Sequence, residues 1–251
     1  MPSPRGIFRL KQVYEEQLSG NWSVKSDVWL QLPGGLTNFG TGAVASPNTG
    51  YFGGGTGPAT VSTVDRIDYS NDTATASPKG PLSAPKGWVL AATGNANFGY
   101  FGGGFDPASP SQYSTVDRID YSNDTATASP KGPLSAARYQ LAATGNASFG
   151  YFGGGSSGGS PKSAVDRVDY SNDTATASPK GPLSAARREL AATGNSSYGY
   201  FGGGDPSTTT YSLVDRIDYS NDTATASVKG PLSLGRSYLA ATSAAANGLP
   251  Q

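Results

Sequence analysis

Tyr151-Phe152-Gly153-Gly154-Gly155 is followed, after a short stretch, by Val165-Asp166-Arg167-Val168-Asp169-Tyr170-Ser171-Asn172-Asp173-Thr174-Ala175-Thr176-Ala177-Ser178. Neither run is unique. The phrase Tyr-Phe-Gly-Gly-Gly stands at Tyr51, Tyr100, Tyr151 and Tyr200, spaced by 49, 51 and 49 residues, and each copy precedes a nearly unchanged second run. A fixed period of this size marks a repeat architecture in which one supersecondary unit is stacked or wheeled about an axis. A residue copied four times is set first by the fold, so function lies in what differs between copies.

Within one copy, Leu141–Gly155 reads as two short strands joined by a turn at Thr144-Gly145-Asn146, where Gly and Asn tolerate positive φ. Ala164–Tyr170 makes a third strand, Ser171-Asn172-Asp173 supplies a turn, and Thr174–Ser178 makes a fourth before Pro179 stops pairing. Four antiparallel strands in about 50 residues form the blade of a β-propeller. The third strand mixes charge with apolar residues on both faces, as a sheet between two sheets requires. Its Arg66, Arg118, Arg167 and Arg216 are expected to pair with an Asp of the same or the adjacent blade.

Composition narrows the chemistry. The 251 residues carry 18 Lys plus Arg and 18 Asp plus Glu, so the net charge is zero and no basic stripe is present to bind nucleic acid. His and Cys are both absent, which removes imidazole and thiolate from any site and leaves no cofactor or metal expected. Asp106 and Asp205 each offer one loop carboxylate, too few for a calcium site. No apolar run reaches membrane-spanning length, and Met1–Lys11 is too charged for a secretory signal.

The sequence resembles a kelch-like propeller in Tyr100-Phe101-Gly102-Gly103, Val116-Asp117-Arg118-Ile119-Asp120 and Pro133-Leu134-Ser135-Ala136-Ala137-Arg138, although small residues such as Ala74–Ala76 stand where the kelch pattern has a Trp. The resemblance covers residues 41–245 and implies an all-β propeller, expected to occupy residues 27–251 with four complete four-stranded blades. An incomplete fifth blade is expected from both termini, using Leu239–Gly248 and the segment around Trp22 and Trp29. The alternative is an open or four-bladed array whose spare strands pair with neighbouring subunits. Ahead of it, residues 1–26 read as an anchor. Ile7, Leu10, Tyr14 and Leu18 lie at helical spacing between Pro4 and Gly20, and with Trp22 and Trp29 they are the expected assembly residues.

Two stretches differ between copies: the loop after each triple glycine, and the linker before the next first strand. They nominate Trp88, Phe105, Asp106, Tyr113, Tyr139, Asp205 and Tyr211 as binding residues, aromatic rings beside carboxylates and hydroxyls suited to a sugar or protein surface. No catalytic residue is nominated, since Glu189 is the only Glu beyond residue 16. The repeated phrase, with Gly6–Trp22 ahead of it, is also similar to virion proteins of aquatic tailed phages, cyanophages in particular. That resemblance implies a tail-fibre, tail-tip or head-surface protein, assembled in the host cytoplasm and released with the virion. Its partners would be other virion proteins at the N-terminal segment, a host glycan or protein, and a homo-oligomeric mate. A non-viral interaction module or self-assembling filament is the competing expectation.

Overall fold

The computed structural model describes the backbone of residues 28–32 and 35–39, and residues 49–87, 90–108 and 111–243 in full. The chain divides into two units, Met1–Ser46 and Pro47–Gln251. In the first unit, β1 (Val28–Leu32) pairs antiparallel with β2 (Gly35–Phe39), with Trp29 opposite Asn38. The expected helix residues Ile7, Leu10, Tyr14 and Leu18, and Trp22, lie outside the described residues.

The second unit is a series of antiparallel sheets. The first holds β3 (Thr49–Gly53), β4 (Val64–Asp68) and β5 (Ser77–Lys79). In the second, β6 (Ala91–Gly94) and β7 (Phe98–Gly102) lead through the small ribbon β8 (Phe105–Asp106) and β9 (Ser111–Gln112) to β10 (Val116–Asp120) and β11 (Ser129–Lys131). The third contains β12 (Tyr139–Gly145), β13 (Phe149–Ser157), β15 (Val165–Asp169) and β16 (Ser178–Lys180), with β14 (Ser160–Pro161) paired to the end of β13. The fourth runs β17 (Ala191–Gly194), β18 (Tyr198–Gly202), β19 (Val214–Asp218) and β20 (Ser227–Lys229). Three sheets thus show all four strands among the described residues. The stretch that would give the first sheet its opening strand, 40–48, lies outside them.

The fourth strand departs from expectation. Thr174–Ala177 does not pair; Tyr170–Asn172 forms a 3-10 turn capped by Asp169, and pairing resumes only at Ser178, with Pro179 opposite Asp166. Proline is tolerated there because the strand is the outer edge of its sheet, where an N–H is not required. Of the Leu239–Gly248 segment expected to open a fifth blade, Leu239–Ser243 takes no strand pairing among the described residues, and 244–248 lie outside them.

Each sheet is locked to the next by the same joint. Tyr100 Oη donates to Asp173 Oδ2 at 3.0 Å and Arg118 Nη1 donates to the same oxygen at 2.7 Å, while Lys131 Nζ stands 3.6 Å from Oδ1. Asp124 receives Tyr51, Arg66 and Lys79 in the same way, and Asp222 receives Tyr151, Arg167 and Lys180. The expected Arg pairing therefore holds for Arg66, Arg118 and Arg167, with the carboxylate supplied by the turn of the following blade. The strand aspartates Asp117, Asp166 and Asp215 instead take buried linker cations, Lys86 (2.9 Å), Arg138 (2.6 Å) and Arg187 (2.9 Å). Stacked tyrosines, Tyr51 on Tyr121, Tyr100 on Tyr170 and Tyr151 on Tyr219, complete the joint at centroid distances of 4.9, 4.6 and 4.7 Å.

The first glycine of the triplet belongs to this joint. A Cβ on Gly102 would come 2.7 Å from the Phe152 ring of the next blade, and one on Gly153 2.6 Å from Phe201. The next glycine has positive φ, 73° at Gly103, just past the end of β7, and 67° at Gly154, within β13. It is β6, β12 and β17, rich in small residues such as Ala91, Ala142 and Ala191, whose backbones lie side by side in successive blades.

Candidate functional site

Register decides where the variable stretches go. Tyr139, at the start of β12, pairs with Ser156 near the end of β13, so the linker entering one strand and the loop leaving the other share one end of the sheet. Ala91 opposite Gly102 and Ala191 opposite Gly202 repeat the arrangement. The near-invariant turns take the opposite end: Gly145 pairs with Gly150, Asp169 with Phe149, and Tyr170 N donates to Ser148 O. The two most variable stretches are therefore gathered at one end, and the turns with only small changes between copies at the other.

At the variable end the loops of neighbouring blades touch. Phe105 bridges Gly87 through two backbone hydrogen bonds, and its ring lies 5.3 Å from that of Tyr139 at 33°. Gln112 Oε1 accepts from Gly158 N at 3.1 Å, Arg188 Nη1 donates to Gly159 O at 3.4 Å, and the Arg188 backbone pairs with Asp205. The second, third and fourth blades thereby form a continuous rim carrying rings, an amide, a guanidinium and carboxylates.

Of the nominated residues, Phe105 and Tyr139 meet directly, and Asp205 joins them through the Arg188 chain of contacts. Asp106 is buried, and its Oδ1 accepts from Ala108 N at 3.0 Å; Asp205 Oδ1 accepts in the same way from Ser207 N. Both carboxylates shape their loops. Tyr113 and Tyr211 hold equivalent places, each donating its backbone N–H to the third glycine of its copy, Gly104 and Gly204. Burial, helped by the negative charge of Asp106, pushes the Tyr113 phenol up, and Lys86 Nζ lies 5.8 Å from its ring centroid. Trp88 lies outside the described residues. No group of three His, Cys, Asp or Glu able to hold a metal occurs among the described residues.

Three further residues belong here that the sequence reading did not nominate. Gln140, Glu189 and Tyr238 occupy the same linker position in successive copies, and all have positive φ, at 57°, 59° and 53°. Such backbone conformations are costly for residues other than glycine and persist only where neighbours impose them. Here each backbone is tied to the one before: Glu189 N donates to Gln140 O and Tyr238 N to Glu189 O, both at 2.9 Å. Gln140 Nε2 donates to Glu189 Oε1 at 2.7 Å and reaches Tyr238 Oη at 3.4 Å. The hydrogen-bonded Glu189 carboxylate pushes the Tyr238 phenol up. The available signal was that these equivalent positions carry an amide, an acid and a phenol directly between the copied Arg138, Arg187 and Arg236 and the copied Leu-Ala-Ala run that follows.

No protein-family model matches this chain, and no curated protein does. Its fold is shared. A solved structure titled "Structure of YjhT" superposes with a TM-score of 0.65 over 85% of this chain and 76% of that chain, at 14% identity. The likeness concerns the fold alone: all-β, antiparallel sheets in a propeller-like series.

Proposed function

We propose that this chain is a non-enzymatic virion structural protein, a tail-fibre, tail-tip or head-surface appendage that presents its variable face for adhesion to glycan or protein on a host surface. The observation that carries the reading is the segregation of the repeat: the two stretches that differ most between copies emerge at one end of the sheets, where Phe105, Tyr139, Gln112, Arg188 and Asp205 form a connected rim. Paired rings offer an apolar platform to a sugar face, and the flanking Gln112 amide, Arg188 guanidinium and Asp205 carboxylate offer hydrogen bonds around it. In this reading residues 1–26 attach the protein to other virion components, and the kelch-like blades form the rigid support.

The test replaces the 105–115 loop with the 56–63 loop and measures binding of the labelled full chain to aquatic bacterial cells and to a glycan array. A loss of at least tenfold is expected, and unchanged binding would remove the rim from the argument. Polysaccharide turnover abolished by Asp106→Asn or Asp205→Asn would replace adhesion with hydrolysis.

A further inference from the structure

Each joint between blades has two halves, and at the two ends of the series one half stands without its mate. In the last blade, Tyr200, Arg216 and Lys229 occupy the places from which Tyr151, Arg167 and Lys180 grip Asp222, yet no carboxylate meets them among the described residues. In the first blade, Asp72 holds the place of Asp124, Asp173 and Asp222 and lies exposed. The hydroxyl pairing repeats the pattern: Thr93 meets Tyr170 at 3.2 Å and Thr144 meets Tyr219 at 3.3 Å, while Thr193 Oγ1 is buried without a partner and Tyr69, its counterpart, is 55% exposed. So does the apolar contact. Gly102 and Gly153 each receive the next blade's Phe, Gly202 meets only side chains of its own blade and the loop after it, and Phe52 is 64% exposed.

We propose that these two ends bind each other between copies of the chain, head to tail, re-creating in trans the joint that the chain makes three times within itself. Charge agrees with shape, since Arg216, Lys229 and Arg236 line the last blade's edge and Asp65 and Asp72 the first. The large hydrophobic residues exposed among those described fall only in the first blade (Phe52, Val61, Tyr69) and in the last blade with its linker (Val228, Leu234, Tyr238). The occupant is a second copy because the acceptor half is specific. The sequence of residues 1–48 and 244–251 contains neither Tyr-Phe-Gly nor Asn-Asp-Thr, so among the four copies Phe52 and Asp72 are the set that no other copy takes. Such a heterologous contact closes into a ring if its rotation allows and otherwise extends as a row. Either outcome stands in place of a fifth blade built from both termini, and it multiplies the variable faces proposed for adhesion.

Sedimentation of the full chain over a range of concentrations tests this. The expected mass exceeds the monomer, rises with concentration and falls as salt is added. Arg216→Asp alone, or Asp72→Arg alone, should raise the concentration needed for association at least tenfold by setting like charges opposite each other. An equimolar mixture of the two variants should recover association, because each then finds an opposite charge on the other chain. Gly230→Ala gives a second handle: nothing lies within 4 Å of its added Cβ, whereas the equivalent Gly181 packs on the next blade's Ala224 carbonyl. This variant should fold and melt as the parent does while failing to associate. A protein monomeric at every concentration, or one whose assembly ignores all three substitutions, or a mixture that does not recover, would overturn the proposal.

Discussion

Arg138 is 1% exposed and carries a full charge, which costs several kcal/mol of lost hydration unless the surroundings restore it. They do so through Asp166 at 2.6 Å and through the carbonyls of Gly154 and Ala164, both at 2.8 Å. Removing the cation strands the buried Asp166, so Arg138→Ala should cost about 3–5 kcal/mol in urea unfolding, more than truncation of an exposed Arg by far. Gly181→Ala should cost at least about 1–3 kcal/mol by overpacking against Ala224, and Gly230→Ala almost nothing. These residues mark a limit of sequence reading. Arg66, Arg118 and Arg167 were legible as ion-pair partners because they are copied in a strand beside aspartates, whereas Arg138 and Arg187, which recur with Arg236, stand at the start of linkers that vary. Their kinship with Lys86 is hidden by one extra residue, since Lys86-Gly87-Trp88-Val89-Leu90 does the work of Arg138-Tyr139-Gln140-Leu141.

Among the elements, the 3-10 turn explains both an error and a sensitivity. Thr174–Ser178 carries strand-favouring threonines, yet Asp169 accepts from the backbone and hydroxyl of Ser171 and winds the preceding residues into a turn, so the strand starts only at Ser178. Hydrogen bonds from Ser122 and Ser171 hold the carboxyls of Asp120 and Asp169 below the usual range. Burial would raise Asp124, but the Tyr51 hydroxyl, Arg66 and Lys79 outweigh it and hold it low as well. A carboxyl depressed in the folded state stabilises above its unfolded pKa, and that contribution is lost as pH falls through the folded value. The melting temperature should therefore drop as pH is lowered below about 4, and Ser122→Ala should flatten part of that slope. The alkaline side runs the other way. Burial pushes Tyr121 and Tyr219 up to about 12, so their contribution is whole below about 10 and fades as pH climbs toward 12. Circular dichroism melts across both ranges would show it.

For the whole repeat unit, each blade is held mainly by its neighbours, so its stability depends on how many it has. Amide exchange should be slowest in β12, β13 and β15, flanked by joints on both sides, and faster in β3–β5 and in β19 and β20, with the gradient flattening at high concentration if copies associate. Uniform exchange along the series would contradict this. The period, the all-β class and the two variable stretches were all readable from copied against uncopied residues. Which residues meet was not: the Phe105–Tyr139 pair and the Gln140–Glu189–Tyr238 ladder join different copies, and no single repeat contains them.

Phe152 on Gly102 and Phe201 on Gly153 are the same contact made by interchangeable parts. Nothing in it records which blade is which; order is kept by the peptide chain alone. A gene that lost or gained one period would therefore encode a protein in which every internal socket is still filled, longer or shorter by 49 to 51 residues. Repeat number is thus open to evolutionary change without any compensating substitution, and with it the breadth of the surface that can be offered to a target.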